Sequence, residues 1–143
     1  MAILAWIVFE VLRTLAWDGH ATPEQLVFRS AGEMQKVWER DGGKADQMPK
    51  VDFEKETVLA VFAGEKSAGH TAKIELIVQG ENDDKLIAFY RISAPAKEEP
   101  NAKKSCPSHV AVIKKFAGTI HFLDANSAEG KEGLEQVKKK LKK

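Results

Sequence analysis

Closely spaced β-strand signals in the middle of the chain constrain the fold more than any other feature. Residues 57–62 form a continuous apolar run, which is typical of a strand buried on both faces. Residues 72–78 alternate in polarity, and this predicts a strand that carries Ile74, Leu76 and Val78 on one face. Signals of this kind indicate a β-sheet rather than a helical bundle.

Further strands follow in quick succession. Residues 80–84 are typical of a turn, and residues 86–92 are predicted to pair back on the preceding strand as a hairpin. Residues 110–113 and 119–123 are predicted to form a last pair of short strands around Gly118. The sheet is therefore expected to be mostly antiparallel.

The N-terminal third supplies two more strands and a helix. Apolar residues near the N-terminus recur at helical spacing, but β-branched and aromatic side chains favour a strand over residues 6–13. A second strand is predicted at 25–29. Ser30 and Glu33 then form a reciprocal capping pattern, which predicts a helix over about residues 31–41.

A second helix is predicted at the end of the chain, over about residues 127–142. Asn126 and Glu129 repeat the capping pattern, and the helix ends in lysines that suit the negative end of a helix dipole. No internal repeat divides the sequence. We therefore expect residues 1–143 to form a single α+β domain with a mostly antiparallel sheet and one helix packed on it.

Composition excludes several classes of protein. The chain has 143 residues and a formal net charge of +1, which argues against a dedicated nucleic-acid binder. Its single cysteine, Cys106, rules out a disulfide within the chain. The apolar run at 1–9 is too short to span a bilayer, and it lacks the preceding positive charge of a signal peptide. Neither compartment nor oligomeric state follows from these features.

Two loops are the candidate working surface. Residues 64–71 lie between two predicted strands, so their glycines indicate a tight turn; a phosphate cradle would need a helix to follow. Residues 95–109 carry three prolines and no periodicity, and long loops inside compact domains are usually functional or disordered. We expect these loops to form a binding surface through Ser67, Gly69, His70, Pro107 and His109.

Catalytic alternatives rest on few residues. Cys106 and His109 are three residues apart, so they are candidates for a metal site or a thiolate–imidazole pair, with His70 as a further ligand. The other histidines are scattered, and the paired carboxylates lie in predicted loops or strand edges. We expect no cofactor and no catalytic residue. A pocket for a small ligand inside a curved sheet is a third alternative.

In their order along the chain, three segments resemble the C-terminal domain of the protease complex subunit PrcB family. Residues 30–38 resemble the capped, aromatic-rich helix of that family. Residues 51–70 are similar to its pattern V-D-F-x-x-x-x-V-L-x-V-F-x-G-x-x-x-T-G-G-Y, and residues 107–114 to P-Y-H-x-V-x-x-x-K. The likeness spans roughly residues 7–123.

This resemblance implies an exported, non-catalytic protein that supports a protease complex, with a protein as its partner, and a looser analogy points to small β-rich protease inhibitors. The chain departs from the family at two aromatic positions. His70 replaces the tyrosine of T-G-G-Y, and Ser108 replaces the tyrosine of P-Y-H. If those tyrosines make a binding face, the departures imply a different partner.

Overall fold

The strands of the chain form two four-stranded sheets and a short two-stranded ribbon. The computed structural model describes residues 6–80, 84–97 and 103–141. Within those residues the strands are β1 (Trp6–Val8), β2 (Arg13–Leu15), β3 (Glu24–Phe28), β4 (Glu56–Phe62), β5 (Lys66–Ser67), β6 (Thr71–Gly80), β7 (Lys85–Ser93), β8 (Lys104–Ser105), β9 (Ser108–Lys114) and β10 (Thr119–Asp124). The helices are α1 (Ala31–Arg40), a 3-10 turn (Ala45–Gln47) and α2 (Ala128–Leu141).

The strand order defines the two sheets. Sheet A has the order β1-β6-β7-β10, and sheet B has the order β2-β9-β4-β3. Every pairing is antiparallel except that of β10, which lies parallel to β7. The predicted α+β class with mostly antiparallel strands is confirmed, but the strands form two sheets instead of one.

The two sheets pack face to face, and each helix covers an outer face. Leu59, Val61 and Ile113 of sheet B meet Ile77 and Leu86 of sheet A in the central cluster. The alternate residues of β4 and β9 point outward, where they pack under α1. Side chains of α2 cover the outer face of sheet A in a third cluster. The layers are therefore helix, sheet, sheet, helix.

Strand β6 does not keep the predicted alternation. The register against β7 shifts between Ile74 and Leu76, where Glu75 is the extra residue of a β-bulge. After the bulge the faces exchange, so Ile74 and Ile77 both point between the sheets, whereas Leu76 and Val78 point toward α2. The prediction of one face carrying Ile74, Leu76 and Val78 was wrong for this reason.

The N-terminal strand is divided between the two sheets. β1 pairs with the end of β6 in sheet A, and β2 pairs with β9 in sheet B. Between them, Phe9 donates its amide to Ile77 and places its ring against Phe116 in the central core. The single strand predicted over 6–13 is therefore two short strands joined by a crossing segment.

The two strands predicted at 110–113 and 119–123 are both present, but the prediction that they pair with each other was wrong. β9 lies between β2 and β4 in sheet B, whereas β10 crosses to sheet A and pairs with β7. A side chain on Gly118 would have its Cβ 1.8 Å from the carbonyl oxygen of Asp84, so only glycine lets the chain pass that close to β7. The short connection therefore changes sheets and forms no hairpin.

The two α-helices agree more closely with the predictions made from the sequence. Ser30 accepts the amide of Glu33 at 3.2 Å, and the Glu33 carboxylate reaches back to the amide of Arg29 at 2.9 Å. The predicted helix at 31–41 is thus confirmed. At α2, however, Ser127 rather than Asn126 is the cap, because its Oγ accepts the amide of Gly130 at 3.0 Å.

Some predicted features lie outside the described residues: positions 81–83 of the turn, 98–102 of the proline-containing loop and 142 of the terminal helix. In the described part of the chain, no helix has both the length and the apolar character needed to cross a membrane.

Candidate functional site

The two loops singled out in the sequence are held together as a short ribbon. β5 pairs with β8, with Lys66 opposite Ser105 and Ser67 opposite Lys104. The amide of Ala68 donates to the carbonyl of Lys103 at 2.6 Å, and Lys104 forms an ion pair with Glu65 at 3.2 Å. Backbone hydrogen bonds therefore hold the two segments in one register.

The turn of the ribbon depends on glycine. Gly64 and Gly69 have φ values of 78° and 97°, in the left-handed region that disfavours other side chains. A Cβ on Gly69 would lie 2.9 Å from the Cβ of Pro95. Nδ1 of His70 lies 2.8 Å from the carbonyl oxygen of Ser67, so this nitrogen carries the proton and donates to it. The predicted residues Ser67, Gly69 and His70 are thus parts of one hydrogen-bonded turn.

Pro107 and His109 join the ribbon to the sheets. The carbonyl of Pro107 accepts the amide of Ala63 at 3.0 Å, so it ties the end of the ribbon to the end of β4. Nδ1 of His109 accepts the amide of Ile74 at 2.7 Å. A nitrogen that accepts has no proton, so His109 is neutral in this arrangement, with its proton on Nε2. Burial, and then the charge of Lys73, lower the pKa of His109.

An open groove of about 520 Å³ begins where the ribbon ends. Its lining comes from three strands: Thr14 and Leu15 of β2, residues 71–73 of β6, and residues 108–110 of β9. The ribbon strands β5 and β8 lead directly into β6 and β9, so the ribbon lies at the end of this groove. The site is therefore a hydrogen-bonded ribbon beside an open groove.

One edge of the groove is a strand edge with unused backbone groups. β1 pairs with β6 only over Val78–Gly80, whereas Thr71, Ala72 and Lys73 pair only with β7 among the described residues. The amide of Ile74 points away from β7 toward His109, and backbone direction alternates along a strand. The N–H and C=O of Ala72 therefore also point away from β7, into the groove.

The surroundings of this edge are positively charged. Lys66, Lys73, Lys103 and Lys104 are all exposed, and only Lys104 is neutralised by an ion pair with Glu65 among the described residues. The potential at the groove therefore favours an acidic ligand.

The geometry around Cys106 gives little support to a metal site or a thiolate–imidazole pair. No three His, Cys, Asp or Glu side chains in the described part of the chain are grouped so that they could hold a metal ion. Nδ1 of His109 accepts the amide of Ile74, so Nε2 carries the proton and can neither coordinate a metal nor accept the proton of a thiol in this arrangement. Cys106 itself is half-buried and free.

A second polar cluster was missed in the sequence. His20 is 2% exposed, and its two ring nitrogens lie 2.6 Å from Asp41 and 2.7 Å from Glu24. Asp41 also accepts the indole N–H of Trp17 at 2.9 Å. The His20 ring is buried and stacked on Phe62, and the cluster joins the end of α1 to β3. No sequence spacing links these residues, so only the fold reveals the cluster.

Comparisons of the chain with models of known protein families, with curated proteins and with solved structures find no match.

Proposed function

We propose that the chain is a non-catalytic protein-interaction module that binds an extended, acidic segment of a partner protein in the groove beside β6. The observation that carries this proposal is the open edge at Thr71–Lys73, where the backbone of Ala72 faces the groove. Extended peptides bind such edges by adding a strand, with backbone hydrogen bonds for affinity and neighbouring side chains for specificity.

The backbone pairing of the ribbon supports a binding role. A surface that is already ordered loses little conformational entropy when a partner binds, so its contacts contribute fully to affinity. The ribbon has paired backbones, two glycines with positive φ and a histidine that bonds the turn. Its exposed lysines extend the positive charge of the groove, which favours a partner segment with carboxylates.

The same features favour binding over the two alternatives. A cysteine-dependent enzyme needs an imidazole free to take a proton, but Nδ1 of His109 is occupied by the Ile74 amide. A small-ligand pocket between the sheets needs space, yet Leu59, Val61, Ala111 and Ile113 are fully buried and fill it. The groove itself is open and shallow, as suits a peptide.

The resemblance to the PrcB family gives the proposal a partner class. We infer that the partner is a protease or a subunit that accompanies one, and that the chain works outside the cytoplasm. These inferences rest on the sequence motifs alone. The lost tyrosines at His70 and Ser108 fall next to the groove, so the partner segment is expected to differ from that of the family.

Affinity capture with matched variants tests the proposal. Ala72→Pro removes the N–H that faces the groove and leaves the β7 side of the ladder intact, because proline is tolerated at a strand edge. Lys73→Glu reverses the charge beside it. Lys115→Glu is the control, since it makes the same charge change beyond the opposite end of β9.

We expect a partner that the wild type and Lys115→Glu capture equally, and that both groove variants lose by at least about tenfold, which corresponds to about 1.4 kcal/mol. Circular dichroism must show that the variants stay folded. If every captured protein is recovered equally by the wild type and by both groove variants, the groove is not the binding surface.

A further inference from the structure

The exposed large apolar side chains of the described residues fall in one short stretch of the chain, which contains the edge strand β1 and leads to the edge strand β2. Among the described residues, the large hydrophobics that are exposed are Ile7 at 50%, Val8 at 45%, Val11 at 37% and Leu12 at 53%. All four fall in β1, the segment that crosses between the sheets, and the approach to β2. Water contact at four neighbouring apolar residues is unfavourable, and contiguous patches of this kind usually mark a docking surface.

The end of helix α2 reaches the same side. α2 follows β10 after a short turn, and it contacts both β10 and β1, which are the opposite edges of sheet A. Gly133, near its middle, faces the ring of Phe89 in β7. A helix of 14 residues is about 21 Å long, enough to cross four strands spaced about 4.8 Å apart. The C-terminal turns of α2 therefore lie at β1.

The strand register connects the apolar patch to that helix end. Val8 lies directly opposite Val78, so both side chains are on the same face of sheet A. Val78 packs in the cluster that contains Leu134 and Val137 of α2. Val8 is thus at the rim of the surface that α2 covers, and the exposed patch begins where the helix ends.

Positive charge is concentrated at this helix end. Lys138, Lys139 and Lys140 are exposed in the last turns of α2, and Lys142 and Lys143 follow in the sequence. The nearby carboxylates among the described residues are Glu135 on the helix and Glu10 and Glu75 at the crossing segment, and Glu75 forms an ion pair with Arg91. The described end of α2 therefore carries an excess of positive charge beside the exposed apolar residues, although the whole chain has a net charge of only +1.

We propose that this side of the molecule docks on the surface of an anionic lipid bilayer. Apolar side chains at a protein surface enter the interfacial region of a bilayer, while neighbouring lysines bind the anionic headgroups. A second copy of the chain is a poorer occupant, because docking on the same face would bring two lysine-rich helix ends to one interface.

Vesicle binding by the full chain tests the proposal. The chain is sedimented with vesicles of phosphatidylcholine alone, and with vesicles that contain about 30% phosphatidylserine, at 0.1 M and 0.5 M salt. We expect binding to the phosphatidylserine vesicles only, and a loss of at least about tenfold at the higher salt, because salt screens the attraction between lysines and headgroups.

Variants then separate the two contributions. Each lysine near an anionic surface strengthens binding about fivefold, so replacing Lys138, Lys139 and Lys140 by Gln is expected to weaken it about 100-fold. The control replaces Lys36, Lys50 and Lys115 by Gln, which removes the same charge elsewhere and leaves binding unchanged. Ile7→Gln with Leu12→Gln is expected to weaken binding while the chain keeps its circular dichroism spectrum.

Three results would overturn the proposal. The first is equal binding to both kinds of vesicle, or to neither. The second is a control triple variant that weakens binding as much as the helix variant does. The third is a dimer in sedimentation velocity without lipid that the Ile7 and Leu12 changes dissociate, since the patch would then be an interface between two copies.

Discussion

His109 joins the two sheets at the groove through one nitrogen. Its Nδ1 accepts the amide of Ile74, and the neighbouring Lys73 adds positive charge. A proton on Nδ1 would remove the acceptor and place a second positive charge beside the lysine. The neutral ring is therefore part of the folded structure.

His109 makes stability depend on pH near neutrality. Because the pKa of His109 is lowered by folding, the unfolded chain binds the proton more readily. This contribution to the free energy of unfolding is complete above about pH 6.5, the unperturbed value, and it is lost as the pH falls below it. Urea unfolding of the wild type and His109→Phe at pH 8 and pH 5.5 measures the effect.

We expect the wild type to lose more stability than His109→Phe between these two pH values. His121→Phe is the matched control, because His121 is exposed on β10 and its replacement leaves the loss in place. If His109→Phe loses as much stability as the wild type, the ring does not act as a neutral acceptor.

Arg13 and Glu56 form a second interaction with a defined pH range. The guanidinium donates to both carboxylate oxygens, at 2.5 and 2.9 Å, and the amide of Asp52 adds a third hydrogen bond. Arg13 first, and then the Asp52 amide, lower the pKa of Glu56 to about 2. The pair fastens β2 to β4 across β9, since both strands flank it in sheet B.

Arg13→Gln is expected to lower the free energy of unfolding at pH 7 by up to about 1 kcal/mol, the usual limit for a pair open to solvent. A depressed carboxyl pKa stabilises the fold above the unfolded value of about 4.5 and loses this effect as the pH falls toward 2. Between pH 5 and pH 2.5, the free energy of unfolding should therefore change less with pH for Arg13→Gln than for the wild type. A slope equal to that of the wild type would show that the pair contributes nothing.

Among the elements, the ribbon depends on the glycine at position 69. Gly69 has φ of +97° and lies against Pro95, whereas Gly42 has φ of +94° with no atom near its missing Cβ. Both positions disfavour a side chain by about 1–2 kcal/mol on conformation alone. Gly69→Ala should destabilise the chain by roughly 1 kcal/mol more than Gly42→Ala, because Pro95 must also move.

Thermal unfolding of the two variants measures this difference in stability. Gly69→Ala should also disturb the amide resonance of Ala68, which donates to the carbonyl of Lys103. Equal melting temperatures for the two alanine variants would show that the contact with Pro95 does not hold the turn.

The helices and strands also show which features of the fold can be predicted from the sequence. Capping chemistry is local, so Ser30 and Glu33 predict α1 within one residue. Strand patterns locate β4, β6 and β7, but they do not say which strands pair. The bulge at Glu75 reverses the faces of β6, and nothing in the polarity of residues 72–78 signals it. The change of sheet after β9 depends on a close approach at Gly118, which is a tertiary contact.

At the scale of the whole molecule, the candidate site is a product of topology. The glycines and prolines of the two loops mark them as irregular, and this local signal was enough to select Ser67, Gly69, His70, Pro107 and His109. The groove was missed. Its edge exists because β1 stops pairing with β6 at Val78 and crosses to the other sheet, and no local pattern sets where a partner strand ends.

The same topology gives the molecule two adjoining surfaces with different residues. The groove lies between β2 and β6, next to the ribbon, whereas the apolar patch and the end of α2 lie where β1 leaves sheet A. A partner protein in the groove and a bilayer at the patch use different residues. Each role is therefore open to a test that leaves the other intact.

Amide hydrogen exchange, followed by NMR on the isotopically labelled chain with and without its captured partner, tests the open β6 edge most directly. We predict that the amide of Ala72 exchanges at least as fast as the neighbouring amides in the free chain. It should become protected in the complex. The amides of β10 should be unchanged. An Ala72 amide that is already protected in the free chain, or that stays unprotected while β10 gains protection, would contradict the binding of a strand at this edge.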